Sequence, residues 1–211
     1  MNVAHRWLCR SARWRTTVET YILPWVLDDV DLGSDVLEVG PGPGVTTDLL
    51  RSRVGHLTCV EIDRALAASL SRRVAGQNVT VLCENATAMS FPDAAFDAAV
   101  SFTMLHHIPS AALQDRLLAE VARVLRPGGT FVGTDSVDSR SMRWLHVFDT
   151  MVLVDPGTFA ARLAAAGFTD VHVDVNAWAF RFRARRGLPG LSINAVRQQH
   201  VSRTAAERPV A

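Results

Sequence analysis

Three glycines, Gly40, Gly42 and Gly44, alternate with prolines in the run VLEVGPGPGVTTDLL, between an apolar stretch and a helical pattern. Glycine has no Cβ and adopts left-handed backbone freely, so the chain can bend tightly here and admit a ligand close to its main chain. In open α/β sheets a turn of this kind, beyond the carboxyl end of the first strand, receives nucleotide-like ligands. Glu61 ends the next apolar run, about 20 residues on, where a carboxylate usually accepts hydrogen bonds from ribose hydroxyls. Asp63 is the rival carboxylate, but it fits better as N-cap of a helix beginning at Arg64. Glu38, just before the loop, would repel a phosphate and attract an ammonium or sulfonium. Val45 stands where the dinucleotide fingerprint G-x-G-x-x-G has its last glycine, and no Lys-Ser/Thr pair follows. The loop therefore suits a nucleoside without phosphate.

A second group of candidates could move protons or contact a substrate. His106 and His107, in MLHHIP, titrate near neutrality when unperturbed, which suits general-base work. Packing or capping is the alternative for both, and His106 is the stronger candidate of the two. Asp135 closes the run GTFVGTD as a substrate contact or, with more weight, a turn residue. Trp144, Leu145, Phe148 and Met151, in SRSMRWLHVFDTMVLVD, would line an apolar substrate pocket or form the buried face of a helix. Cys9, Cys59 and Cys83 include no C-x-x-C, so no metal is expected, and a reducing cytoplasm is the expected compartment. Cys59 and Cys83 fall within apolar runs and are expected in the core.

The elements that must position these residues follow an alternating rhythm. Apolar runs at 35–40, 56–62, 78–84, 96–102 and 129–135 are separated by helical patterns, which predicts right-handed βαβ crossovers and a mostly parallel sheet. The clearest helix is 110–125, with Leu113, Leu117, Val121 and Val124 at helical spacing and RPGG stopping it. Residues 140–154 carry a longer amphipathic pattern, PGTFAARLAAAGF a shorter helix, and 170–175 and 179–185 alternate as an antiparallel hairpin should. That makes seven strands. The chain of 211 residues suits one domain with short additions: an N-terminal helical cap at 1–30, the main domain at 31–186 with a substrate insert at 139–155, and a loose tail at 187–211.

The net charge of +1 gives no general reason to expect nucleic acid as partner, and all 22 basic residues are arginine. Arg6, Arg10, Arg13 and Arg15 interleave with Trp7 and Trp14, which could serve RNA or a membrane surface. A helix capping the ligand cleft, with arginines solvated and tryptophans packed, is the favoured reading. No apolar run reaches the length of a membrane span.

VLEVGPGPG resembles the first motif of the class I S-adenosylmethionine-dependent methyltransferases. The resemblance continues through VEID, ENATAMSFPDAAFDAAVSFTMLHHI and EVARVLRPGG, in order, over roughly residues 34–135. It implies a Rossmann-like, doubly wound, seven-stranded α/β sheet of order 3-2-1-4-5-7-6 with an antiparallel final hairpin. It also implies S-adenosylmethionine as cofactor, with S-adenosylhomocysteine as product. Carried over by position, Gly40, Gly42 and Gly44 pass under the methionine and ribose, and Glu38 helps hold the amino group, directly or through water. Glu61 takes the ribose hydroxyls, Asn85 and the Ala86 N–H serve the adenine, and Ser101 and Phe102 lie beneath the methionine end. The departure is EN, where the family more often has Gly-Asp; Asn85 can accept from the adenine amino group and also donate, but lacks charge.

The expected activity is methyl transfer to a small apolar or aromatic acceptor, by a monomer or homodimer. A nucleic-acid methyltransferase is the rival within the fold; SFTM after strand four lacks the Asn/Asp-Pro-Pro-Tyr/Phe loop that stacks a flipped base. An NAD-dependent dehydrogenase is disfavoured by Val45 and by the absence of lysine. An inactive cofactor-binding module stays open.

Overall fold

The structure is a computed structural model that describes residues 7–147, 149–188 and 201–203; the side chains of Ser141, Leu145 and 201–203 are not described. Its strands are β1 (Asp35–Val39), β2 (His56–Val60), β3 (Val79–Leu82), β4 (Phe96–Phe102), β5 (Leu125–Ser136), β6 (Phe168–Val175), β7 (Ala179–Arg186) and β8 (Val201–Arg203). They form one sheet in the order β3-β2-β1-β4-β5-β7-β6-β8. β1 to β5 pair in parallel, and β7 is antiparallel to both β5 and β6. The first seven positions are those expected. β8 is an addition, three residues pairing in parallel with β6 from within the stretch expected to be a loose tail. The rest of that tail from 189, and the first six residues of the cap, lie outside the described residues.

The central strands are apolar along their whole length because both faces are covered. Val36, Ala98, Val100 and Val132 face one core with Leu50, Leu57 and Leu70, beneath helices Val45–Leu50 and Arg64–Arg73 and the N-terminal helices. Leu37, Val39, Ala99 and Phe131 face the other with Leu117, Leu118, Val121 and Phe159, beneath helices Ala111–Val124 and Pro156–Ala165. Period-two alternation thus splits each strand between two layers, the doubly wound arrangement.

Helix starts follow their caps. Ser110 accepts the Leu113 N–H, Asp63 accepts those of Ala65 and Leu66, and Asp155 accepts that of Gly157. Asp63 therefore has the capping place expected of it. Near the N-terminus a π-turn, Val18–Ile22, joins helices Ala12–Thr17 and Leu23–Leu27, and the Leu23 N–H bonds back to Val18 O. Pro24 explains the wider turn: it lacks an N–H and its ring crowds the carbonyl four residues back.

Several expected boundaries shift. β5 begins at Leu125, and the RPGG segment bulges between Leu125, which pairs with Phe96, and Thr130, which pairs with Ala98. β3 ends at Leu82, so Cys83 lies beyond it and is exposed rather than core, whereas Cys59 is buried. The amphipathic stretch after β5 forms helix only over Arg140–Leu145, then turns. Trp7 is exposed, not packed, while Trp14 packs against the core; Arg10, Arg13 and Arg15 are exposed. No helix among the described residues is long and apolar enough to cross a membrane.

Candidate active site

β1 delivers the chain into the glycine loop at the carboxyl edge of the sheet. Gly40, Gly42 and Gly44 have φ of 68°, 55° and 83°, left-handed values that a side chain rarely adopts. Each glycine serves differently. A Cβ at Gly40 would overlap Met104, one at Gly44 would overlap Leu70 and Arg73, and one at Gly42 would meet nothing within 4 Å. The loop is braced from outside by Arg73, which donates to Pro43 O at 2.8 Å and Gly44 O at 3.3 Å while pairing with Asp48. The site is therefore held in shape by the protein itself.

Two carboxylates flank the loop with different duties. Glu61 accepts the Gly42 N–H and the Asp63 N–H, each at 2.9 Å, one on each oxygen. A carboxylate has about four lone-pair sites, so these bonds leave acceptor capacity for a vicinal diol in the cavity. Burial raises the Glu61 carboxyl above its ordinary range, against backbone hydrogen bonds from Asp63, Gly42 and Ile62 that lower it. Glu38 instead lies under the loop, 1% exposed and outside the cavity wall. Its oxygens accept the hydroxyls of Thr46 and Thr47, the latter at 2.6 Å, with the Cys59 thiol 3.4 Å away. Of the two routes expected to a ligand amino group, direct or through water, Thr46 and Thr47 stand in the direct one. Glu38 pins the first turn of helix 45–50, and Thr46 stands between it and the cavity. Burial raises its carboxyl, and it pushes the Cys59 thiol up, which keeps that group a donor.

Asn85 and Ala86 border the cavity after β3. The Asn85 side-chain oxygen accepts both the backbone N–H and the hydroxyl of Thr87, each at 3.0 Å. A backbone N–H can only donate, so the amide orientation is fixed. Its oxygen is occupied, so of the accepting and donating roles expected of Asn85 the group it offers outward is the donor. Thr103, at the end of β4, has φ of 50° and also lines the cavity. A β-branched residue in that conformation is strained.

The cavity encloses about 370 Å³. Gly40, Gly42, Glu61, Asn85, Ala86, Phe102 and His107 line it, together with Trp14, Val18 and Ile22 of the N-terminal helices. Gly44, Ser101, His106, Asp135 and Trp144 do not. The Ser101 side chain is sealed within the sheet. Trp144 is 79% exposed, and Phe148 lies outside the described residues. The histidine order is reversed: His107 reaches the cavity, whereas His106 is buried behind it, its Nδ1 2.5 Å from Asp135 Oδ1. Asp135 is fully buried, neither an exposed turn nor a direct substrate contact. Sequence reasoning missed His146, whose Nε2 lies 3.2 Å from that of His106. It also missed Gln114, which donates to Leu105 O and Val152 O and so fixes the histidine turn against the 150s.

The wall contains Glu61, Asp63, Glu84 and Asp149 and, among the described residues, no arginine. A pyrophosphate would meet repulsion there, whereas a sulfonium and ammonium would be drawn in. The open space over Gly42 and the remaining acceptor capacity of Glu61 fit a ribose. The donor set thus fits an adenosyl sulfonium.

The strand order, with its antiparallel β7, and a glycine loop tied to a carboxylate across this cavity define a Rossmann-like domain. Residues 37–133 match the family described as "Methyltransferase domain". The chain is 33% identical over 100 residues to a protein of Mycolicibacterium smegmatis named "Probable S-adenosylmethionine-dependent methyltransferase", covering 47% of this chain and 37% of that one. It is 49% identical over 49 residues to ribosomal RNA small subunit methyltransferase A of Aromatoleum aromaticum, covering 23% of this chain and 18% of that one. These matches span less than half the length of either curated relative. A solved S-adenosylmethionine-dependent methyltransferase of Aquifex aeolicus superposes with a TM-score of 0.64 at 19% identity, covering 81% of this chain and 93% of that one. Residues 37–133 therefore resemble a methyltransferase domain, and the sheet is of the kind seen in the Aquifex aeolicus structure.

Proposed function

We propose that this chain methylates a small apolar or aromatic acceptor, using S-adenosylmethionine bound between the glycine loop and Glu61 and releasing S-adenosylhomocysteine. The observation that carries this reading is the cavity wall: among the described residues it holds carboxylates and no arginine, with Trp14, Val18, Ile22, Ile108 and Leu113 forming apolar surface beyond the loop. The bound cofactor supplies an electrophilic methyl on sulfur, open to in-line displacement. The chain's own residues would do the rest. Gly40, Gly42 and Glu61 hold the nucleoside, Asn85 donates to the adenine, and Phe102 borders the methionine end. Trp14 and Ile22 help exclude water, and His107 is placed to accept a proton from the attacking group. Orientation alone can supply several kcal/mol of such a barrier, about 7–11 at most.

An RNA acceptor is the second reading, favoured by the short match to the ribosomal RNA enzyme. Methyl-labelled cofactor offered with a panel of small phenols and with total RNA separates the two. Label extracted with the phenols supports the proposal; label confined to acid-precipitable RNA replaces it.

A further inference from the structure

Behind the cavity, His106, His107 and His146 each bring one ring nitrogen within 4.8 Å of the others. The first two sit on a short 3-10 turn, Leu105–His107, after β4; the third follows helix Arg140–Leu145. His106 Nε2 and His146 Nε2 face each other at 3.2 Å. Each ring is held from behind by an acceptor. His146 Nδ1 is 2.9 Å from the Met142 carbonyl oxygen, which only accepts, so that nitrogen carries hydrogen. His106 Nδ1 is 2.5 Å from Asp135 Oδ1, and the same carboxylate accepts the His106 and Ser136 backbone N–H groups. The two Nε2 atoms thus face each other in a site where His106 is 1% and His146 4% exposed.

We propose that this cluster binds a divalent first-row transition metal ion of the zinc type, held by His106 Nε2, His146 Nε2 and one ring nitrogen of His107. Two imidazoles on a tetrahedral ion, at metal–nitrogen distances of about 2.0–2.1 Å, sit about 3.3 Å apart, close to the spacing found here. The outer partners agree. Metal-bound histidines characteristically donate their other N–H to a carboxylate or a backbone carbonyl, the two groups that Asp135 and Met142 supply. Three neutral imidazoles match the softness such ions prefer and leave a fourth position open. His107 borders the cavity, so the ion would tie the segment after β5 to the turn after β4 at the cavity floor. The proposal does not depend on the cofactor reading, and a metal-bound His107, with hydrogen on its other nitrogen, would give up the proton-accepting role proposed above.

The test is metal uptake by untagged full-length protein stripped with a chelator. Zinc is titrated in competition with a chromophoric chelator, and cobalt(II) is followed by visible absorption. One ion per chain, the intense visible bands of tetrahedral cobalt and a rise in Tm with zinc are expected. His146→Ala should abolish uptake, and Asp135→Asn should weaken it about 10- to 100-fold. His107→Ala, at a half-buried position, should lower affinity with the circular dichroism unchanged. No stoichiometric uptake by the parent protein, or undiminished uptake by folded His146→Ala, would overturn the site and leave a shared proton between the two nitrogens. Should His146→Ala fail to fold, the stoichiometry and cobalt spectrum of the parent protein decide alone.

Discussion

The carboxylate of Glu61 accepts the backbone N–H of Gly42 at 2.9 Å, so the group facing the cavity at the end of β2 also holds the turn after β1. Loop shape and ligand recognition are coupled through one side chain. The other Glu61 oxygen takes the Asp63 N–H, which steadies the start of helix 64–73, from whose end Arg73 reaches back to the loop.

The three loop glycines should separate stability from binding. Gly40→Ala forces a Cβ into Met104, so it should lower Tm and binding together. Gly42→Ala meets no protein atom, and its strain at φ 55° should cost about 1–2 kcal/mol. Its methyl would project into the cavity and weaken S-adenosylhomocysteine binding by tenfold or more. Thermal melts and calorimetry of the two variants check the difference.

Glu38 should make stability fall as pH rises. Its carboxyl is raised by burial, so the folded state holds the proton more tightly than the unfolded chain. Its contribution is then fully present below the unfolded value, about 4.5, and declines as pH climbs toward the folded value, staying reduced above it. Glu38→Gln keeps acceptor and donor atoms for Thr46 and Thr47 but cannot ionise. Urea melts from pH 4 to 8 should show the variant gaining on the parent as pH increases, by about 1.4 kcal/mol for each tenfold difference in proton affinity. Parallel curves would contradict this.

Phe182 anchors the second core. Its ring lies 4.8 Å from that of Phe131 and 5.1 Å from that of Phe159, centroid to centroid, and it is 1% exposed. Phe182→Ala should cost about 3–5 kcal/mol by denaturant unfolding, and Phe182→Leu clearly less.

Thr103 carries strain beside the cavity. Thr103→Gly removes the β-branched side chain at φ 50° and should leave stability unchanged or raised by about 1 kcal/mol, despite the greater freedom of glycine in the unfolded chain. A large loss of Tm would show the side chain to be needed for packing.

The fold was legible because its signals are local. Alternation in β1, β2 and β4 and caps such as Ser110 and Asp63 depend on neighbours a few residues away. Gly40, Gly42 and Glu61 were legible for a related reason: the spacing from strand end to strand end is set by a single crossover. Residues whose surroundings are tertiary were not. Glu38 reads as a ligand contact until Thr46 and Thr47 close over it. His106 and His107 are adjacent, and only the packed turn decides which reaches the cavity. His146 lies 40 residues from His106, and no periodicity joins them. Trp144 looked like a pocket residue because its stretch is amphipathic, but the helix ends at Leu145.

Calorimetric titration of S-adenosylhomocysteine into the parent protein and into Glu61→Gln tests the central claim most directly. The parent should bind one molecule per chain and NAD should give no heat. Glu61→Gln should lose about 1.5–3 kcal/mol, roughly ten- to a hundredfold in Kd, through the weakened ribose bonds. Equal affinity in parent and variant, or binding of NAD in preference, would contradict the account.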